Sequence, residues 1–359
     1  MKVGGGPYLH DLLASVPTAA NGGYYARIVA DHARRRRLDV AGTRIRQLAH
    51  AMNRSVDTVV EECDRELSDA VNDTHGAELS FGDYFAAAFE TLGAEGKAVG
   101  LPTGFHDIDR VTGGLEAGRL YVVAGRPGMG KSVLLTDITR HIAVRERRPV
   151  FFATLEMSGE EISKRLTTAE SGTPAEWWKG EGSPTDEGLA RLADAGALIA
   201  ESPLHVDPTA EMTMTQLRAR VRKFAARHGR QVGLIVVDYL QLMSTPERES
   251  RQVAVAELSR NLKILAKDMN CPVLVAAQLN RENTNRTDKR PQLSDLRESG
   301  AIEQDADTVI LLHRPDYYDE TERPGEADAI IAKNRSGPQT TVVLAAQLHK
   351  SRFTSMATA

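Results

Sequence analysis

The chain has 359 residues, 41% of them hydrophobic and 26% charged, with a formal net charge of −4. That composition fits a globular protein with a proper buried core, in one large domain or two unequal ones. It excludes attraction of nucleic acid by the field of the whole molecule, so any such partner must be held by local clusters.

Cys63 and Cys271 stand far apart and in no metal-ligand spacing, and the His residues form no zinc motif, so a reduced, cytoplasmic protein without zinc is expected. The opening "MKVGGGPYLHDL" lacks the apolar core of a signal peptide, and no run approaches membrane-spanning length.

Residues 1–70 read as a small all-α region. Tyr25, Ile28, Val29, Ile45, Leu48, Ala49 and Met52 recur at helical spacing, with Arg on the other faces. The run Arg34 to Arg37 reads first as a solvated helix face, with DNA contact as the alternative. Residues 71–97 read as a linker that carries a helix over 80–92. Ser80 and Asp83 have capping-box spacing, and Phe81, Tyr84, Phe85, Ala88, Phe89 and Leu92 form one apolar stripe that Gly93 ends. The stripe must be buried on its own domain or on a neighbouring subunit; spacing alone does not choose.

From 98 to 359 the texture changes. Apolar, β-branched runs at 119–125, 149–156, 233–243, 272–279, 307–314, 327–334 and 340–348 are separated mostly by helical patterns. Near-continuous apolar strands of this kind imply an α/β domain with a largely parallel sheet covered on both faces. The last three runs have no helix between them, which predicts an antiparallel far edge.

"GRPGMGKS" fills positions 125–132 and matches G-x-x-x-x-G-K-[ST] between a predicted strand and a predicted helix. Gly125, Arg126, Pro127, Gly128, Met129 and Gly130 would wrap their backbone around phosphate oxygens. Lys131 would reach the β- and γ-phosphates, and Ser132 would ligate Mg²⁺. "LIVVD" ends in Asp238, placed to hold the same metal of an ATP complex. The residue after it is Tyr239 and not an acid, so the group that activates water is sought elsewhere. Glu156, at the end of the following strand run, lies on the correct sheet edge to be that general base. Gln278 ends another strand and suits sensing of the γ-phosphate.

"AIIAKNRSGP" places Lys333 and Arg335 one residue apart at a strand end, on the same side. They suit a cationic contribution to the ATP of an adjacent subunit, or they are solvated edge cations; the residues alone leave both open. The segment 280–300 interleaves Arg281, Arg286, Lys289, Arg290 and Arg297 with acids and contains no aromatic residue. It suits phosphate contacts blind to base identity, or a solvated loop.

In order and spacing, "GLPTGFHDIDRVTGGLEAGRLYVVAGRPGMGKS", "FFATLEMS", "LIVVDYLQLM", "AAQLNR", "DLRESGAIEQDADTVILLHR" and "IIAKNRSGP" resemble bacterial replicative DNA helicases of the DnaB type. The resemblance covers essentially all of 98–355. It implies a RecA-like P-loop ATPase domain, a homohexameric ring with ATP at each subunit interface, single-stranded DNA in the channel and 5′ to 3′ travel. It assigns nucleotide and metal to Lys131, Ser132 and Asp238, catalysis to Glu156, coupling to Gln278 and trans-acting charge to Lys333 and Arg335. The DNA grip falls to Arg297, Glu298 and Gly300. "PYLHDLLASVPTAANGGYYARIVADHARRRRL" is similar to the later half of the family's N-terminal domain, and helix 80–92 to its intersubunit docking helix. The family's helices ahead of residue 7 have no counterpart in the sequence, which leaves the ring collar, primase and loader open. Two other functions remain in view: a RadA-like recombination ATPase, and a DNA-binding ring component that has lost unwinding with its N-terminus.

Overall fold

The computed structural model describes residues 22–52, 56–71, 80–92, 100–229, 231–243, 251–279 and 288–356. The chain divides into two compact units, Met1–Gly93 and Ala94–Ala359. No helix among the described residues is long and apolar enough to cross a membrane.

In the first unit α1 (Gly22–Ala49) packs on α2 (Val56–Val71). Ala41 and Ala70 are the buried residues there, and Arg44 pairs with Glu66 at 3.1 Å. Arg34, Arg35 and Arg36 are exposed, as are Tyr25, Ile28 and Val29 of the predicted apolar stripe. Met52 lies beyond the helix end and is 95% exposed.

α3 (Phe81–Leu92) starts at the expected capping box. The Asp83 amide donates to Ser80 Oγ at 3.2 Å, and Asp83 Oδ2 accepts from the Ser80 amide at 2.7 Å and its hydroxyl at 2.8 Å. Those bonds hold the Asp83 carboxyl below the usual range. Phe81, Phe85 and Phe89 line up along one face with centroids 6.3 and 5.8 Å apart, and all three are exposed. The side chains of Tyr84, Ala88 and Leu92 lie outside the described residues.

The second unit is built on a nine-stranded sheet. The predicted runs become β1 (Leu120–Gly125), β2 (Val150–Thr154), β4 (Leu234–Asp238), β5 (Val273–Gln278), β6 (Thr308–His313), β7 (Glu326–Asn334) and β8 (Thr340–Gln347). Two short strands carry no apolar run: β3 (Leu204–Asp207) and β9 (Arg352–Ser355). Strand order is β3-β2-β4-β5-β1-β6-β7-β8-β9. The first six in that order run parallel, and β7, β8 and β9 are antiparallel, as the missing helices predict.

Alternate residues of each strand feed opposite faces. Val122, Ile235 and Val275 enter one core with Leu217 and Val221 of α8 (Met214–His228) and Leu258 and Leu262 of α9 (Arg251–Asp268). Tyr121, Val123, Val236 and Leu274 enter the other. There they meet Ile108 of α4 (His106–Thr112), Leu134 and Ile138 of α5 (Lys131–Arg140) and Ile162 of α6 (Gly159–Ser171). Full burial on both faces explains why these strands read as continuous apolar runs. The run 233–243 stops being strand at Asp238, and Leu240–Leu242 form a short 3₁₀ turn. α7 (Asp186–Ala200) precedes β3, and α10 (Gly300–Asp305) precedes β6.

The last strand closes back on the start of α5. Phe353 is 2% exposed, its amide donates to Asp137 Oδ2 at 2.7 Å, and its ring lies where a Cβ on Gly130 would meet Cζ at 2.8 Å. Phe353→Ala is expected to cost about 3–5 kcal/mol of stability. A denaturant titration of the variant checks this, and an unchanged midpoint would show that the ring is not part of the core.

Candidate nucleotide site

β1 ends at Gly125 and the chain turns through 126–130 into α5. Gly128 and Gly130 hold φ of +82° and +95°, the left-handed region that side chains disfavour. A Cβ on Gly128 would also come within 2.9 Å of Tyr317 Cε2, so the ring would have to shift. Met129 is buried and anchors the loop in the core, while Arg126 donates to the Tyr318 hydroxyl at 3.0 Å. The free amides at the start of α5 therefore face a fixed hollow, the arrangement that receives phosphate oxygens.

That hollow is a cavity of about 320 Å³, lined among others by Pro127, Gly128, Lys131, Ser132, Glu156 and Gln278. Lys131 bends back over the loop, its Nζ donating to the Arg126 carbonyl at 3.1 Å. Burial pushes the Lys131 ammonium down, and the charges of Asp238 and Glu156 oppose that.

β4 delivers Asp238, 1% exposed, opposite Thr154 of β2. Leu155 donates its amide to the Asp238 carbonyl at 2.7 Å, which sets Glu156 beside the same strand end. Both Asp238 carboxylate oxygens are buried with no hydrogen bond of ordinary geometry. Burial pushes this carboxyl up, the nearby Ser132 hydroxyl opposes, Glu156 adds to the rise, and Lys131 and Arg165 oppose it. Two buried, unpartnered carboxylate oxygens beside a hydroxyl are costly unless a cation is bound. Together they form an oxygen donor set for a hard divalent ion, so Ser132 and Asp238 fit Mg²⁺.

Gln278 ends β5 opposite Gly125 of β1. The Gln241 side chain fixes its backbone, donating to the Gln278 carbonyl at 3.2 Å and accepting its amide at 3.3 Å. Gln241, Met157, Arg165 and Leu348 were not singled out from the sequence, yet the last three line the cavity, as does Tyr239, read from the sequence only as the non-acid after Asp238. Arg165 sits mid-helix on α6, where a charged residue carries no local signal.

Lys333 and Arg335 are not part of this cavity. β7 runs antiparallel to β6, with His313 opposite Asp328 and Thr308 opposite Asn334. Residues 333–335 thus lie where β6 begins, at the sheet edge away from the P-loop. Lys333 Nζ donates to the carbonyls of Glu303 and Gln304, and Arg335 to Asp307 Oδ1 at 3.3 Å and the Gln304 carbonyl at 2.9 Å. The two cations do share one side. Burial lowers the Lys333 ammonium and Arg335 adds to that.

The segment expected to be a charged loop is partly helical. Leu293–Ser299 form a 3₁₀ helix with Gln292 and Asp295 capping its start, and Gly300 opens α10. The backbone of Arg297 and Glu298 lies in that turn, and Gly300 is exposed; the side chains of Arg297 and Glu298 lie outside the described residues, as do Arg281 and Arg286. Arg290 is half-buried, bonded to the buried Asp328 and to Thr341 Oγ1, so its guanidinium is held against β7 and β8.

Residues 100–355 match the model of the DnaB-like helicase C-terminal domain. The chain is 42% identical to a replicative DNA helicase DnaB of Leifsonia xyli and 36% to one of Geobacillus stearothermophilus, each time over 99% of this chain and 79% of the relative. Among solved structures, one described as an ATPase domain superposes with a TM-score of 0.74 at 31% identity, covering 77% of this chain and 99% of that one. A DnaB-like replicative helicase, described with its interactions with primase, superposes at 0.77 and 28% identity over 98% of this chain and 83% of that one. With a RecA-like sheet, a P-loop and an unpaired metal-side carboxylate already in place, these matches settle the lineage: the chain belongs to the family of DnaB-like replicative DNA helicases.

Proposed function

We propose that this chain is the motor subunit of a homohexameric ring that hydrolyses ATP between neighbours and travels 5′ to 3′ on single-stranded DNA, opening duplex during cytoplasmic replication. The observation that carries this is the separation of charges across the sheet. β1 has six residues, so the two edges are roughly 20 Å apart, beyond the reach of an extended Lys or Arg. Lys333 and Arg335 therefore cannot serve the P-loop of their own chain, and a heterologous contact with the next copy brings such cations to its ATP.

Lys131 releases the Arg126 carbonyl and takes the β- and γ-phosphates, while the loop amides hold the phosphate oxygens. Ser132 and Asp238 would hold Mg²⁺, and the ion would supply positive charge against the phosphates. Glu156 orients the attacking water and accepts its proton. Gln278, fixed by Gln241, faces the γ-phosphate and reports its loss. Lys333 and Arg335 of the neighbouring copy stabilise the charge that builds up on the transferred group, an effect of about 10³ to 10⁵ in rate for an arginine finger. Arg297, Glu298 and Gly300 grip the DNA backbone, and the Phe81–Phe85–Phe89 face of α3 docks on the adjacent subunit. An exposed row of three rings is costly in water and marks an interaction surface.

Lys131→Ala is expected to abolish ATP turnover in a phosphate-release assay; retained turnover would exclude the P-loop from catalysis. Arg335→Ala subunits mixed into wild-type rings should lower turnover by more than their share, because each removes charge from a neighbour's site. Strict proportionality would argue that every subunit completes its own pocket. Arg297→Ala should weaken single-stranded DNA equally across sequences and reduce the salt slope by about one unit, read by fluorescence anisotropy. An unchanged affinity would take the turn at 293–299 out of the DNA path.

A further inference from the structure

At the sheet edge farthest from β9, β3 and α8 enclose a second cavity of about 340 Å³. Its floor is aromatic: the His205 ring stacks on Phe224 at 5.7 Å, and Phe224 packs on Phe151 at 5.8 Å and His228 at 4.5 Å. Its walls are cationic. Positions 220, 223, 224 and 227 fall on one face of α8 at helical spacing, so Arg220, Lys223 and Arg227 surround the ring.

One carboxylate is present and already engaged. Asp207 accepts from Arg220 with both oxygens at 2.7 and 2.6 Å, and from the Thr209 amide and hydroxyl at 3.2 and 2.7 Å. Its role is to fix the Arg220 guanidinium in place. Lys223 and Arg227 are exposed and make no hydrogen bond or ion pair with any described residue. They stand four apart on a helix, where like charges repel. Burial holds the His205 imidazole below its ordinary range; Asp207 opposes this, and Arg227, His228 and Arg220 add to it.

We propose that this pocket binds a phosphate group at a site separate from the P-loop. Three cations converge on one hollow, and a phosphate has enough anionic oxygens to answer each of them, where a carboxylate has two. A guanidinium already held by a carboxylate presents its donors without further ordering, which favours planar recognition of phosphate oxygens. Phe151 and Phe224 belong to the core on one face of the sheet and Leu134 and Ile138 of α5 to the core on the other, and the two cavities share no lining residue. A free phosphate compound and a phosphodiester of a polynucleotide share this chemistry.

The test compares wild type with Lys223→Ala/Arg227→Ala, two exposed positions whose removal leaves the aromatic floor and the Asp207–Arg220 pair intact. With the P-loop filled by excess ADP and no added magnesium, pyrophosphate is titrated by calorimetry. A homopolymeric dT strand is titrated separately across a salt series. A free ligand predicts pyrophosphate binding that weakens roughly tenfold or more in the variant. A polynucleotide predicts weaker dT binding with a salt slope reduced by about one to two units, and no pyrophosphate heat. If neither titration distinguishes the variant from wild type, α8 presents only a solvated basic face and the proposal falls.

Discussion

Parallel strands give a sheet two chemically different edges, and that polarity organises everything else in the ATPase unit. Every parallel strand points its carboxyl end the same way, so β1, β2, β4 and β5 deliver the P-loop, Glu156, Asp238 and Gln278 to a single edge. The antiparallel β7 returns and delivers Lys333 and Arg335 to the other. A folded monomer thus keeps its phosphate-binding amides and its late cations a sheet's width apart. No rotamer change repairs that, because hydrogen-bonded ladders on both sides of β7 fix its register. In the proposed ring a second copy brings the two chemistries together.

The local electrostatics are those of a site built for a charged ligand. Asp238 is nearly inaccessible and its oxygens have no hydrogen bond of ordinary geometry beyond the nearby Ser132 hydroxyl, although buried carboxylates are ordinarily fully bonded or neutralised. Lys131 spends its ammonium on a backbone carbonyl, Arg126 O, at 3.1 Å. By contrast Asp307, equally buried at the opposite edge, has its oxygens matched by the Leu120 amide at 2.8 Å, Lys263 at 2.5 Å and Arg335 at 3.3 Å. One buried acid completes the fold, and the other is left incomplete by it. Unpaired polar atoms of this kind point to what is meant to arrive.

How far the residues disclosed this depended on whether a signal was local. The runs of β1, β2, β4, β5 and β6 announced their strands because burial on both faces demands continuous apolar residues, and β7 and β8 stayed legible though only partly buried. β3, "LHVD", and β9, "RFTS", are too short and polar to show any period, and their strand character comes from neighbours in the sheet. The P-loop and the Ser80–Asp83 cap were legible because their signals lie within a few residues, and Asp238 because it ends an apolar run in a chain that also carries a P-loop. Arg165 and Leu348 were not, since only the fold carries them to the cavity, nor was Gln241, which the fold brings to the Gln278 backbone. The ion pair of Arg290 was not legible either, because its partner Asp328 is distant in sequence.

β7 also links the two edges mechanically. It begins beside the P-loop edge, where Asp328 faces His313 and holds Arg290 and Arg323, and it ends beside Thr308 with Lys333 and Arg335. β8 continues from it into the turn carrying Leu348, which lines the nucleotide cavity, and β9 then seats Phe353 against Gly130. β7 is paired on both sides from Glu326 to Ile331, and its pairing with β6 carries on past a register shift to Lys333 and Asn334, so one packed strand spans the two ends. In the proposed ring, loss of phosphate from one pocket would thereby move cations that serve the next. The same sheet that forbids a self-sufficient site would then carry the signal from one site to its neighbour.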